Sequence, residues 1–305
     1  MNKKNRTFFV VLQLVGALIW GLAFAFQSMG MEKTGPFTFT GVRFFLAAAV
    51  VYAFSLVRDA GKKEKYPWKS KELWKAGIIC GILLSIATNL QQFGIMLTDS
   101  VGKAGFITAL YIVMLPLCGI FMKKKIRPVI FIGVAVALAG LYFLTISESL
   151  HFASGDIFLV LCAFAFTLQI LSIEKYSKRV DNVKFACIEF LTVAVSSSVI
   201  MFITEKPEIS GILAAAIPIL YAGAMSGGVA YTIQIICQSK LDAYTASILM
   251  SCEALFSVLG GYLLLGQKLT FREIIGSILM FAAILIVQLV PGGDEEESVK
   301  PGITK

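Results

Sequence analysis

Four ionisable side chains fall within long apolar stretches of this 305-residue chain: Arg43, Lys103, Glu189 and Glu253. Such a group at mid-bilayer costs on the order of 2.5 to 3.5 kcal/mol on insertion scales, so each needs a partner, a wet cavity or the interface. Glu253 has no basic residue within a helical turn. A carboxyl so placed can carry a proton or hold a cationic group, or it can bond structurally to a neighbouring helix. Lys103 can attract an anionic molecule or snorkel to the outer surface. Arg43 and Glu189 read first as packing and pairing groups. Uncharged polar residues gather on helical faces: Ser85, Asn89 and Gln92 recur at four and three residues, and Thr108 and Tyr111 do the same. Ser226, Tyr231 and Gln234 follow a similar pattern around Gly227-Gly228. Faces of this kind either bond helices together or line a hydrated path.

Other chemistries lack their residues. His151 is the only histidine, which removes His-based metal and catalytic constellations. The six cysteines (Cys80, Cys118, Cys162, Cys187, Cys237, Cys252) all sit in apolar stretches without CxxC spacing and read as small packing residues. No GxxxxGK[ST] phosphate loop is present, so neither a nucleotide nor any other cofactor is expected. The net charge of +8 comes from basic residues in short breaks beside apolar runs, which reads as membrane orientation and lipid contact rather than nucleic-acid binding.

The elements that must position these groups are apolar and long. Mean hydropathy is +0.82 and only 15% of residues are charged, against about 25% in a soluble domain. Ten stretches follow: Phe8 to Gly30, Pro36 to Val57, Trp74 to Leu97, Val101 to Met122 and Pro128 to Ile146 in the first half. The second half has Ala153 to Glu174, Val183 to Thr204, Ile212 to Gln238, Ala243 to Leu265 and Phe271 to Val290. With the N-terminus inside, 21 Lys and Arg fall on the cytoplasmic side and four on the other (Lys33, Lys206, Lys268, Arg272), which places both termini in the cytoplasm. Lys3, Lys4 and Arg6 before an apolar run resemble a signal peptide, but the run is too long for one, and it reads as the first span.

Basic content reverses between matching breaks of the two halves. The break after the first span carries Lys33 alone, whereas its counterpart carries Lys175, Lys178, Arg179 and Lys184. Five crossings per half produce this inversion. The expected fold is an all-α membrane protein of ten transmembrane helices in two inverted five-helix repeats, residues 1–150 and 151–291, with a disordered cytoplasmic tail over 292–305. Arg43-Phe44 aligns with Glu189-Phe190, and Lys125, Gly133 and Ala139 align with Lys268, Gly276 and Ala282. Gly77 to Gly81 and Gly223 to Gly227 have the spacing of close helix crossings. Gly227-Gly228, Gly260-Gly261, Pro116 and Pro218 mark places for bends.

Several runs resemble the EamA branch of the drug/metabolite transporter superfamily. They are Gln91-Gln92-Phe93-Gly94, Gly102-Lys103-Ala104-Gly105-Phe106-Ile107-Thr108, Tyr111 to Pro116, Ala246-Ser247-Ile248, Ser251 to Phe256 and Gly260 to Gly266, with Trp20-Gly21 and Arg43-Phe44. The resemblance implies a cavity between spans one, three, four, six, eight and nine, and transport of amino acids, other metabolites, nucleotide sugars or toxic compounds. Two departures weaken a multidrug reading: Gln267 replaces a glutamate frequent in the family, and the first span lacks an acidic residue. The expectation is a secondary transporter of the cytoplasmic membrane, a monomer or homodimer in the lipid bilayer. It would export or exchange a small metabolite such as an amino acid by alternating access. Trp20, Asn89, Gln92, Tyr111, Gln169, Tyr231 and Glu253 would bind the small-molecule substrate, and Lys103 or Glu253 would supply charge or coupling. The alternative is an intramembrane enzyme acting on a lipid-linked substrate.

Overall fold

The computed structural model describes residues 3–62, 66–97, 101–145, 154–265 and 270–289. The tail over 292–305, His151 and the side chains of Lys103, Gly260 and Gly261 lie outside what is described. All regular structure among the described residues is helical. The first half comprises α1 (Lys3–Met31), α2 (Pro36–Asp59), α3 (Lys71–Leu97), α4 (Val101–Thr108), α5 (Tyr111–Phe121) and α6 (Pro128–Thr145). The second comprises α7 (Ser154–Tyr176), α8 (Asn182–Thr204), the short α9 (Ile209–Ala214) and α10 (Ala216–Leu220), a π segment (Tyr221–Ala230), α11 (Tyr231–Gln238), α12 (Ala243–Met250), α13 (Glu253–Leu265) and α14 (Phe271–Leu289). Seven helical stretches are long and apolar enough to cross a membrane, and three shorter apolar ones cover Pro128–Phe143, Ala243–Leu259 and Ile274–Val287.

Polarity is arranged inside out. Phe8, Phe54, Val57, Phe121, Phe202, Ile203, Ile217 and Ile278 face outward, whereas Gln13, Thr40, Gln92, Thr167, Gln169, Glu189 and Gln234 are buried. In water that apolar exterior would cause association; against lipid it is the lower-energy face, while helices satisfy their own backbone groups.

Local sequence sets the helix ends. Pro36 begins α2, where its missing N–H costs nothing. Asp181 caps α8 by accepting from Val183 N and Lys184 N, and Asp242 caps α12 through Thr245 N. Gly35, before α2, has no side chain to do this. Glu205 takes over from across the bundle, accepting from Phe37 N and Thr38 N at 2.8 Å each and from the Thr38 hydroxyl at 2.6 Å.

Helix contacts come in matched sets. α3 packs on α7 and α8, and the π segment packs on α1 and α2. α4 and α5 pack on α7, and α13 packs on α1. α2 lies along α8, and α6 along α14. At two close crossings the glycine pairs act as their spacing predicts. A Cβ on Gly81 would sit 2.7 Å from the Glu189 carbonyl oxygen, and one on Gly223 would sit 2.7 Å from that of Arg43.

The basic breaks converge at one end of the bundle. Arg58 pairs with Asp181 at 2.8 Å, and Lys184 with Asp59 at 2.8 Å and with the Tyr66 carbonyl oxygen at 2.6 Å. Lys124 pairs with Glu174 at 2.7 Å, whose other oxygen accepts from Ala243 N. The opposite end gathers Lys33, Gly35, Glu205 and Gly211 around a depression of about 430 Å³.

Candidate functional site

Two helices are interrupted deep in the bundle, and both interruptions place a functional group. α4 gives way to α5 at Ala109-Leu110, and α12 to α13 at Ser251-Cys252. The backbone there tightens to three-residue bonds: Leu110 N to Ile107 O and Ile112 N to Ala109 O in one, Cys252 N to Leu249 O and Ala254 N to Ser251 O in the other. Such tight turns within a helix mark hinges. Tyr111 is the first residue after the first interruption and Glu253 the first after the second. The Tyr111 hydroxyl donates to Glu253 Oε1 at 3.3 Å, which is long for a bond between oxygens.

A third irregularity faces them. The π segment closes with a bond from Tyr231 N to Ser226 O, one residue wider than an α-helical turn. Ser226 within it and Tyr231 and Gln234 just beyond it line a central cavity together with Trp20, Phe24 and Gln27 of α1, Arg43 of α2 and Gln91 of α3. Tyr111, Phe166, Met250 and Glu253 complete the wall. Trp20 and Tyr231 meet edge to face with ring centroids 4.8 Å apart. The space between these groups is about 30 Å³, room for little more than water. The cavity is narrow between its polar groups.

Its electrostatics are bipolar. Arg43 is buried beneath the rings of Phe39 and Phe44, 5.5 and 5.1 Å from their centroids, and has no ion pair among the described residues. Glu253 is the one carboxyl group on the wall. Trp20 Nε1, Gln27 Oε1, Arg43 Nε and Gln234 Oε1 are buried without hydrogen-bond partners among the described residues. Buried polar atoms are ordinarily paired, so four unpaired ones on one wall are bonding capacity directed at whatever fills the space.

Of the residues singled out from sequence, Trp20, Tyr111, Tyr231 and Glu253 stand on this wall. Three others do not. Asn89 Nδ2 bonds to Ser85 O and to Ser197 Oγ of α8, both at 2.8 Å, and so ties helices together. Gln92 is fully buried and also off the wall. Gln169 Nε2 donates to Glu189 Oε1 at 2.9 Å, one layer behind the wall. Lys103 lies on α4, with its side chain outside the described residues. Sequence reasoning passed over Gln91 and Gln27 and gave Arg43 a packing role. Arg43 carried a signal, because a buried arginine without an acidic neighbour in sequence leaves its charge available. Among the described residues, no group of three or more His, Cys, Asp or Glu side chains could hold a metal ion.

The model of the EamA-like transporter family matches residues 7–146 and again 153–289. An uncharacterized transporter of Archaeoglobus fulgidus is 29% identical over 280 residues, covering 90% of this chain and 83% of its own length. The uncharacterized transporter YoaV of Bacillus subtilis is 22% identical, covering 88% and 92%. A protein of known crystal structure superposes with a TM-score of 0.73 at 20% identity, covering 93% of this chain and 97% of that one, and so shares its fold.

Proposed function

The chain belongs to the EamA-like transporter family and is a multi-pass membrane protein, and from that premise we propose that it moves a small dipolar metabolite, an amino acid or close relative, by alternating access. The observation that carries this reading is that Arg43 and Glu253, one cationic and one acidic side chain, line the same cavity. A guanidinium suits a carboxylate and a carboxylate suits an ammonium group. Trp20, Tyr231 and Phe166 supply apolar and aromatic surface for a side chain.

Ten crossings in two inverted repeats, with both termini in the cytoplasm, are part of the proposal. The matched helix contacts support it. So does the gathering of Arg58, Lys124, Lys184 and their partners at one end, which the excess of basic residues marks as cytoplasmic. Alternating access then means that the tight turns before Tyr111 and Glu253 flex as the bundle opens to one side and the other. The family and the names of the relatives favour transport over catalysis on a lipid-linked molecule.

The test is counterflow of radiolabelled L-amino acids in proteoliposomes, with Arg43→Gln and Glu253→Gln beside the unaltered chain. Exchange by the unaltered chain and its loss in both variants is the expected result. Unimpaired exchange in both variants would remove Arg43 and Glu253 from the site.

A further inference from the structure

Glu189 is a second buried carboxyl group, and the substrate wall does not use it. It is fully buried on α8; Oε1 accepts from Gln169 and Oε2 has no partner among the described residues. No Lys or Arg pairs with it there. The charged and titratable groups on the surrounding helices do not compensate it. α3 presents Cys80 and α11 presents Tyr231, a thiol and a phenol, neither of which can carry a positive charge. Arg43 of α2 lies under two rings, and Lys184 of α8 itself is held by Asp59 and the Tyr66 carbonyl. Cys187, also on α8, points to the Ala48 carbonyl. An ionised carboxylate in this position would be a buried charge without a counter-charge, whereas a carboxylic acid is neutral.

A file of amides connects this group to the cavity. Gln169 Oε1 accepts from Gln234 Nε2 at 3.4 Å, and Gln234 stands on the wall. Gln234 Nε2 also approaches Gln238 Oε1 at 3.5 Å, at the last residue of α11. Gln234 Oε1 and Gln238 Nε2 are otherwise unpartnered among the described residues, so the file has open bonding positions along its length.

We propose that Glu189 is a proton-binding site outside the substrate cavity, reached through Gln234 and Gln169, and that its protonation couples substrate passage to proton movement. The step is a proton transfer alone: an O–H bond forms at Oε2 when a hydronium ion in the path gives up its proton and becomes water, and breaks when the acid returns that proton to a water on the other side, which becomes hydronium. The coupling rests on the transporter reading above; the proton site does not.

Two readouts keep these apart. In the first, purified protein is titrated while infrared difference spectra follow the protonated-carboxyl stretch, and the apolar carbodiimide dicyclohexylcarbodiimide labels carboxylic acids for mass spectrometry. Glu189→Gln is expected to remove one protonated-carboxyl band and the label on the α8 peptide. An unchanged spectrum and label would overturn the proposal, as would protection of Glu189 by sodium chloride but not choline chloride, which would make the ligand sodium. In the second, Glu189→Gln proteoliposomes are expected to keep amino-acid counterflow and to lose accumulation driven by a pH gradient. Retention of both overturns coupling. Loss of both in Glu189→Gln and Glu189→Asp, in protein that elutes as a folded species, makes Glu189 structural and also overturns it. If the unaltered chain moves no amino acid, the substrate reading fails and the spectra still decide the proton site.

Discussion

Tyr111 and Glu253 each open the second limb of an interrupted helix, and the hydroxyl of one reaches the carboxyl of the other at 3.3 Å across the middle of the molecule. A bond that long is readily exchanged for one to a bound molecule. The pair can therefore part without a large cost. Tyr111→Phe should leave transport intact while raising the amino-acid concentration for half-maximal counterflow roughly fivefold, the effect of about 1 kcal/mol. Glu253→Gln should abolish counterflow. An unaltered half-saturation in Tyr111→Phe would show that the hydroxyl has no part in binding.

Gly81 and Gly223 are where helix backbones approach most tightly beside Glu189 and Arg43. Gly81→Ala and Gly223→Ala must move a carbonyl away from 2.7 Å, and overpacking of this kind costs about 1 to 3 kcal/mol. Both should lower the melting temperature of the detergent-solubilised protein. Gly61→Ala, where an added Cβ meets nothing within 4 Å, should leave it unchanged. Equal melting of all three would mean that the crossings tolerate separation.

Lys184 is nearly inaccessible, with 2% of its side chain exposed, and Asp59 has 9% exposed. Asp59 also pairs with Arg58 at 3.0 Å and with Lys62 at 3.5 Å, so loss of Lys184 takes one member from a network rather than the sole partner of a charge. Lys184→Met should therefore lower the melting temperature through loss of its bonds to Asp59 and the Tyr66 carbonyl, and the double variant Lys184→Met with Asp59→Leu should fall by less than the sum of the two single losses. Additive losses in thermal denaturation would show that the two charges do not depend on each other.

Glu205 supplies the cap that Gly35 lacks. Glu205→Ala should cost about 1 to 2 kcal/mol, as loss of a helix cap does, and should speed hydrogen exchange of the Phe37 and Thr38 amides. Glu205→Gln, which keeps an acceptor oxygen, should lie between Glu205→Ala and the unaltered chain. Unchanged exchange in Glu205→Ala would show that water replaces the carboxylate at no cost.

Sidedness has its own measurement. In a cysteine-free background, Lys62→Cys and Lys206→Cys should react with a membrane-impermeant maleimide from opposite faces of the membrane. Labelling of both from one face would contradict the proposed crossings.

Much of the helical pattern was legible in sequence, because an apolar run of membrane length has few other uses. The central cavity was only half legible. Ser85, Asn89 and Gln92 do share a face, but that face turns toward α8, as the Asn89 to Ser197 bond shows. Gln91, one residue and about 100° around the helix, meets the cavity instead. Which face turns inward is decided by the partner helix, and no single helix's sequence contains its partner. The interruptions at Ala109-Leu110 and Ser251-Cys252 were hidden for a related reason: none of these residues is a helix breaker, so the bends come from packing. Gly227-Gly228 did suggest an irregularity, although it takes the form of wide turns from Tyr221 to Ala230 rather than a bend.

Those wide turns give the helix a slack residue. Were the segment to tighten to α geometry, everything beyond it would advance by a position, about 100° of rotation. Tyr231 and Gln234 would swing off the cavity wall and the residues before them, Ala230 and Ile233, would replace them. One stretch of chain thus holds two lists of side chains that it can show to the same space, and the backbone hydrogen bonds decide which list is read.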